Sequence, residues 1–195
     1  MLRILIPNTI PRTISVTDMK LKKISNCEFD QIYDILEQNF IPEECRERET
    51  ARTLLAHPDF TVYHTVDGEN NVGFVTVWSF EDFDFIEHFV ICEAYRNKGY
   101  GAHVLELLKS RGKNLVLEAE LPVDGIQKRR IAFYERNGFV KNQHPYVQPP
   151  YRQGQNGVPM VLLSCPSDLS DFENTVKQLY QKVYNVNYEK STNNT

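Results

Sequence analysis

The feature that most constrains this chain is a glycine turn between an apolar strand and an amphipathic helix. The strand-like HFVIC ends at Cys92, YRNKGYG fills residues 95–101, and AHVLELLKSR then places valine and leucine at helical spacing. The first amides of a helix point outward with a partial positive charge, and glycine lets a ligand approach them closely. The pattern therefore predicts a phosphate-binding turn or, alternatively, a tight turn that serves packing only.

The glycine spacing disfavours the two commonest nucleotide loops. Gly99 and Gly101 are followed by Ala-His-Val, so the turn contains neither GxGxxG nor GxxxxGK[ST]. These motifs hold the phosphates of NAD and ATP respectively. The turn alone therefore indicates neither ligand, although Arg96 and Lys98 add positive charge at its rim.

Composition bounds the class of protein. The chain has 195 residues, of which 41% are hydrophobic, as expected for one compact domain. Its net charge of −4 predicts no nucleic-acid partner. Four cysteines without CxxC spacing favour a cytoplasmic location and give no reason to expect a metal. The apolar run 4–6 is broken by Pro7, so neither a signal peptide nor a membrane partner is expected.

Hydrophobic periodicity predicts strands and helices in one α/β domain. The predicted strands are 21–24, 61–66, 73–80, 85–92, 114–120, 139–142 and 158–164. The predicted helices are 29–40, 43–55, the segment after the glycine turn, 126–137 and 169–183. We expect a loose extension at 1–18, a domain at 19–166, a C-terminal amphipathic helix within 167–188 that packs on it, and a frayed tail at 189–195.

Two motifs together resemble a known family. The R-x-x-G-x-G of residues 96–101 is followed about 33 residues later by AFYERNGF at 132–139. The pair, with the order of elements over residues 21–164, resembles the GNAT superfamily of acetyl-CoA-dependent N-acetyltransferases, and a bacterial subgroup of unassigned acceptor in particular. The resemblance implies a mixed, mostly antiparallel sheet of six to seven strands flanked by helices. Cys92-Glu93 and Arg129-Arg130 depart from the usual pattern.

The resemblance also implies a site for acetyl-CoA, the expected co-substrate. The amides of residues 96–102 would hold its pyrophosphate, and its pantetheine arm would pair with backbone near residues 89–92, where a bulge is common. The predicted cofactor-binding residues are Phe89, Val90, Ile91, Arg96, Asn97, Lys98, Gly99, Tyr100, Gly101 and Ala102.

Attack of an amine on a thioester benefits from a base and an acid, because a lysine-like amine of pKa about 10.4 is mostly charged at pH 7. Glu87 and His88 are the candidate bases, and neighbours on a strand point to opposite faces. By resemblance we prefer Glu87, with an ion-paired structural role as the alternative. Tyr134 matches the family tyrosine that protonates the CoA sulfur.

The acceptor is predicted only as a class. Tyr146, Tyr151 and Arg152 precede the last strand, where the family often builds its acceptor pocket, and Gln148 lies beside them. The carboxylates of Glu118 and Glu120 are interpreted as a solvated rim or as contacts for a cationic amine. The predicted function is direct acetyl transfer to a primary amine of a small molecule or peptide, by a monomer or homodimer. The alternative is a CoA-binding module without catalysis.

Overall fold

The computed structural model describes residues 18–188, which form a mixed eight-stranded sheet with helices on both faces. The strands are β1 (Met19–Lys23), β2 (Phe60–Asp67), β3 (Asn70–Ser79), β4 (Phe83–Ile91), β5 (Asn114–Glu120), β6 (Val140–Lys141), β7 (Tyr146–Gln148) and β8 (Val158–Cys165). The helices are α1 (Phe29–Asn39), α2 (Arg48–Thr53), α3 (Tyr100–Lys109), α4 (Gly125–Arg136) and α5 (Phe172–Lys182). The extension and tail predicted at the two ends lie outside the described residues, apart from Asp18.

The strand order is β1-β2-β3-β4-β5-β8-β6, with β7 also paired to β8. Among the strands of residues 18–188, only β4 and β5 run parallel to each other, so the predicted mixed and mostly antiparallel sheet is confirmed. The strand absent from the prediction is β7, which lies in a segment interpreted as a loop. In β7 the buried Tyr146 and Gln148 alternate with the exposed Val147, so one side packs inward while the backbone pairs with β8.

Each face of the sheet carries its own apolar core. On the front face, α1 and α5 cover the sheet, and Leu36 and Leu179 pack there with Trp78. On the back face, α3 and α4 cover it through side chains such as Val104 and Ile131. The helical spacing of apolar residues seen in the sequence is what gives each helix a stripe to bury.

A β-bulge in β4 changes which side chains face front. Thr76 lies opposite His88 and Val77 lies opposite Ile86, so Glu87 is an extra residue in β4. Glu87 and His88 therefore both face front, where their side chains approach to 3.8 Å. The expectation that they point to opposite faces is wrong because a bulge interrupts the strand alternation. A bulge was expected near residues 89–92, and the structure has it just before them, at Glu87.

Beyond the bulge, β4 and β5 separate. Their pairing runs from Phe83 opposite Asn114 to Ile86 opposite Leu117, although β4 continues to Ile91 and β5 continues to Glu120. The two parallel strands thus open into a gap at their C-terminal ends.

The single helix predicted for residues 43–55 is broken in the structure. A 3₁₀ turn at Pro42–Glu44 and α2 are separated by extended backbone at Cys45 and Glu47. The break turns Arg46 inward, where it is only 8% exposed. A tertiary contact has overridden the local helical tendency.

Candidate functional site

The gap between β4 and β5 forms a cleft of about 510 Å³. Asn39 and Phe40 at the end of α1 border it on the front side. Six of the residues predicted for catalysis or cofactor binding line it, namely Glu87, Phe89, Val90, Ile91, Arg96 and Tyr134. The separated strands therefore bring together residues that the sequence placed on different elements.

The glycine turn leads into α3 beside this cleft. Asn97 and Gly99 adopt positive φ values of 60° and 88°, and Gly99 is the N-cap of α3. The amide of His103 donates to the carbonyl of Gly99 and closes the first turn of α3. The amides of Gly101 and Ala102 come before this bond, so they have no carbonyl partner within the helix. This is the arrangement that suits an anion at a helix start.

The side chains of the turn differ in what they contact. Arg96 lines the cleft and donates to the carbonyl of Ile91 (3.0 Å) and to Asn39 Oδ1 (2.7 Å). Lys98 donates to the carbonyl of Ala94 (2.7 Å). The ring of Tyr100 packs in the back core, and its hydroxyl donates to Asp67 (2.8 Å).

Packing explains a small residue at Gly101. A Cβ there would lie 3.1 Å from the ring of Phe133 on α4 and 3.8 Å from Ile91. The start of α3 thus fits tightly between β4 and α4. A larger side chain at this position would have to displace the ring of Phe133 or shift the start of α3.

Glu87 is held in a buried ion pair. Its side chain is 1% exposed, and it accepts hydrogen bonds from Arg46, from Trp78 Nε1 (3.1 Å) and from the hydroxyl of Tyr151 (3.2 Å). Arg46 also donates to the carbonyl of Val183 (2.6 Å). Burial alone would raise the pKa of Glu87, but the charges of Arg46 and His88 and the hydrogen bonds from Arg46 and Trp78 together outweigh it, so the pKa is lowered. Glu87 therefore stays a carboxylate whose oxygens are already engaged.

Glu118 has the opposite character. It lines the same cleft from β5 and accepts hydrogen bonds from the hydroxyls of Tyr146 and Tyr184, the latter at 2.7 Å. Burial raises its pKa to about 7, and the nearby charge of Glu87 adds to the rise. A carboxylate with a pKa near neutrality suits proton exchange at physiological pH.

Tyr134 projects from α4 into the cleft. Burial raises its pKa to about 12, so the phenol stays protonated near neutral pH. Its ring is fixed edge-on by Phe133 and Phe139, at centroid distances of 5.3 and 5.7 Å. A positioned phenol of this kind can donate a proton.

The other predicted residues have structural partners. The imidazole of His88 bonds to Thr76 (3.3 Å) and to the carbonyl of Glu44 (3.0 Å), and burial lowers its pKa. Arg152 donates to the carbonyls of Cys45 (3.0 Å) and Arg46 (3.5 Å), so it would have to leave them to bind a carboxylate. Its role in acceptor binding stays a prediction.

The sequence did not single out Arg46 and Tyr184, and Glu118 was interpreted as part of a solvated rim or as a contact for a cationic amine. For Glu118 a signal existed, because NLVLEAE places it between the apolar residues Leu117 and Ala119 of a predicted strand. Arg46 and Tyr184 gave no comparable signal, since they reach their partners 41 and 66 residues away in sequence.

Neither a metal nor a cysteine nucleophile is supported by the described part of the chain. Residues 18–188 contain no cluster of side chains suited to a metal ion. Burial raises the pKa of Cys92, which disfavours its thiolate. Among the same residues, no helix has the length and hydrophobicity needed to cross a membrane.

Comparisons with known proteins agree with this geometry. The model of the acetyltransferase (GNAT) family matches residues 29–139, more than half of the chain. A GNAT-family protein from Bacteroides thetaiotaomicron is 34% identical, with a TM-score of 0.81 over 86% of this chain and 99% of that one. YjbC of Bacillus subtilis strain 168, which is named as an acetyltransferase, is 25% identical over 164 residues, 81% of this chain and 83% of YjbC.

A more distant structure shares the fold. An acetyltransferase from Bacillus subtilis, solved in complex with CoA, is 17% identical, with a TM-score of 0.51 over 77% of this chain and 97% of that one. The family match and the Bacteroides relative carry the assignment. The chain is an acyltransferase and belongs to the GNAT family of acetyltransferases.

Proposed function

We propose that the protein transfers an acetyl group from acetyl-CoA to a primary amine by direct attack in a ternary complex. The observation that carries the proposal is the cleft itself, which brings the buried carboxyl group of Glu118 and the phenol of Tyr134 between the separated strands. One group has a pKa suited to accepting a proton, and the other remains protonated. A base and an acid on one cleft are what aminolysis of a thioester needs.

The residues present fit acetyl-CoA. The amides of Gly101 and Ala102 and the charge of Arg96 suit the pyrophosphate, while the backbone of Phe89–Ile91 borders the cleft without a β5 partner and suits the pantetheine amides. When bound, acetyl-CoA supplies the activated acetyl thioester. The related structure solved with CoA supports this ligand.

Glu118 is the better candidate base. Glu87 was preferred on sequence, but its oxygens accept bonds from Arg46, Trp78 and Tyr151. Glu118 has no cationic partner at hydrogen-bond distance among the described residues and has the raised pKa. In our proposal Glu118 takes the proton of the amine as the new C–N bond forms. Tyr134 gives its proton to the sulfur as the C–S bond breaks.

The first test is thermal stability with and without acetyl-CoA. Acetyl-CoA at about 100 times its Kd should stabilise the fold by roughly 2.7 kcal/mol, which raises Tm by several degrees. Gly101→Arg should abolish the shift, because a side chain there crowds Phe133 and displaces the start of α3, whose amides would bind the pyrophosphate. Gly125→Arg is the matched control, since a Cβ there meets nothing within 4 Å. Absence of a shift in the folded wild type would contradict the proposed co-substrate.

A second test uses Tyr184, which lies just beyond the end of α5. The Tyr184 hydroxyl stabilises the charged form of Glu118, so Tyr184→Phe should raise the pKa of Glu118 further, by about one unit. The acidic limb of kcat should move to higher pH, while activity well above the limb stays near that of the wild type. Tyr180→Phe is the control, because that hydroxyl bonds only to the carbonyl of Val147 among the described residues. If Tyr184→Phe lowered kcat by the same factor at every pH, Tyr184 would have a purely structural role.

A cytoplasmic location remains part of the proposal. The four cysteines are free, which fits a reducing compartment.

A further inference from the structure

A small side pocket adjoins the cleft on its front face. It has a volume of about 50 Å³ and shares Glu87, Glu118 and Arg130 with the cleft. A buried water needs roughly 10–15 Å³ of such space, so the pocket has room for a group of three or four non-hydrogen atoms. Because it opens beside Glu118, it is placed to hold the part of an acceptor next to its reactive amine.

The pocket is negatively charged. It is lined by the carboxylates of Glu44, Glu87, Glu118 and Glu120. Arg46 pairs with Glu87 and Arg130 pairs with Glu120, which leaves Glu44 and Glu118 without an ion pair among the described residues. Such a lining attracts an ammonium group and repels a carboxylate.

An unsatisfied donor supplies the second observation. The side chain of Gln148 lines the pocket and is 3% exposed, and its Nε2 has no hydrogen-bond partner among residues 18–188. Leaving a buried amide N–H unpaired is costly, so such a group is expected to bond to a ligand or to water. A ligand atom that satisfies it must be a hydrogen-bond acceptor.

The register of the sheet relates the donor to the base. Tyr146, which donates to Glu118, lies two residues before Gln148 on β7, and both side chains face inward. Same-face neighbours on a strand are about 7 Å apart. Glu118 and Gln148 also line the same small pocket, so one small molecule can contact both.

We propose that this side pocket selects acceptors in which an uncharged, hydrogen-bond-accepting oxygen lies a few atoms from the primary amine, as in an amino amide. It disfavours amines that carry a free carboxylate. This inference rests on the proposed acetyl transfer, since it names the substrate class of the same site. Gln148 would bind the oxygen, and Glu44 with Glu118 would hold the amine end.

The test compares three small amines, namely glycinamide, glycine and propylamine. Release of free thiol from acetyl-CoA is measured for the wild type and for Gln148→Met, which keeps the length of the side chain but removes its amide. For each amine, kcat/KM of the variant is divided by kcat/KM of the wild type, which removes the effect of the amine's own pKa on the rate. We expect kcat/KM for glycinamide to fall roughly tenfold in Gln148→Met and that for propylamine to change little.

Glu44→Gln tests the charge of the pocket. In the wild type, glycine should be at least about tenfold poorer than glycinamide, and Glu44→Gln should narrow that difference. The unfolding temperature of each variant shows whether the fold is kept. An equal effect of Gln148→Met on all three amines, or wild-type discrimination that favours glycine, would overturn the inference and leave acetyl transfer standing.

If no acetyl group is transferred, the inference can still be tested by measuring how tightly the amines bind. Calorimetric titration of the same amines into the protein saturated with CoA reports selection without turnover. Preference for glycinamide that is lost in Gln148→Met would support the pocket even though the proposed function had failed. Equal binding, or none, of glycinamide and propylamine in the absence of turnover would overturn both.

Discussion

Replacing Glu118 with glutamine should lower kcat by a factor of about 10² to 10⁴, the usual contribution of a general base. Glutamine keeps the shape of the side chain and still contacts Tyr146 and Tyr184, but it cannot take a proton from the amine. The measurement is steady-state thiol release at saturating amine near pH 8. Acetyl-CoA should still raise Tm in the variant, because the glycine turn is untouched.

The pH dependence gives an independent check of this carboxyl group. With a pKa of about 7, Glu118 loses its proton around neutrality, so wild-type kcat should fall tenfold per pH unit below about pH 7. Glu118→Gln should lack this limb. The groups that act most strongly on Glu118 are Tyr146, Tyr184, Glu87 and Arg46. The pKa of each tyrosine is raised well above 10, that of Glu87 is lowered and that of Arg46 is raised, so none of these four titrates near pH 7.

The raised pKa of Glu118 should also make the stability of the fold depend on pH. The carboxyl pKa is 4.5 in the unfolded chain and about 7 in the fold, so the folded state binds more protons between these values. The contribution of Glu118 to stability is therefore complete below pH 4.5 and is lost as the pH rises through about 7. Relative to Glu118→Gln, the free energy of unfolding of the wild type should fall by up to about 1.4 kcal/mol per pH unit in this window.

Glu87→Gln is the comparison that can reverse the assignment. This change leaves Arg46 buried without its counter-charge, so we expect mainly a loss of stability. If Glu87→Gln abolished turnover with little change in Tm while Glu118→Gln stayed active, Glu87 would be the base, as the family resemblance alone implies.

Tyr134→Phe should also lower kcat by about 10² to 10⁴, with little change in acetyl-CoA affinity. Phenylalanine keeps the ring contacts with Phe133 and Phe139, so the cleft keeps its shape while the proton donor is lost. The measurements are kcat and the Kd for acetyl-CoA by calorimetry.

Tyr63→Phe is the control for loss of a hydroxyl group. Its oxygen accepts a hydrogen bond from Arg111 at 2.8 Å, and Tyr63 packs with the back core outside the cleft. Its kcat should match the wild type. An unchanged kcat in Tyr134→Phe would remove that tyrosine from the mechanism.

Local interactions made the framework predictable from sequence. The strand, the turn at Gly99 and the helix after it depend on periodicity and on a positive φ that glycine adopts readily, so neighbouring residues suffice to predict them. The same holds for the apolar stripes of α1 and α5 and for the pair of motifs that indicated the family. The break at Arg46 and the strand β7 were missed because long-range packing decides them.

The sequence by itself determined the family, the glycine turn and the position of Tyr134. Only the tertiary structure decided which carboxylate is suited to act as a base. Glu87 pairs with Arg46, whose charge lowers its pKa, whereas burial raises the pKa of Glu118 despite the hydrogen bonds from Tyr146 and Tyr184. The physical reason is that a carboxyl pKa depends on desolvation and nearby charges, and here those neighbours come from residues 28 to 66 positions away in the chain.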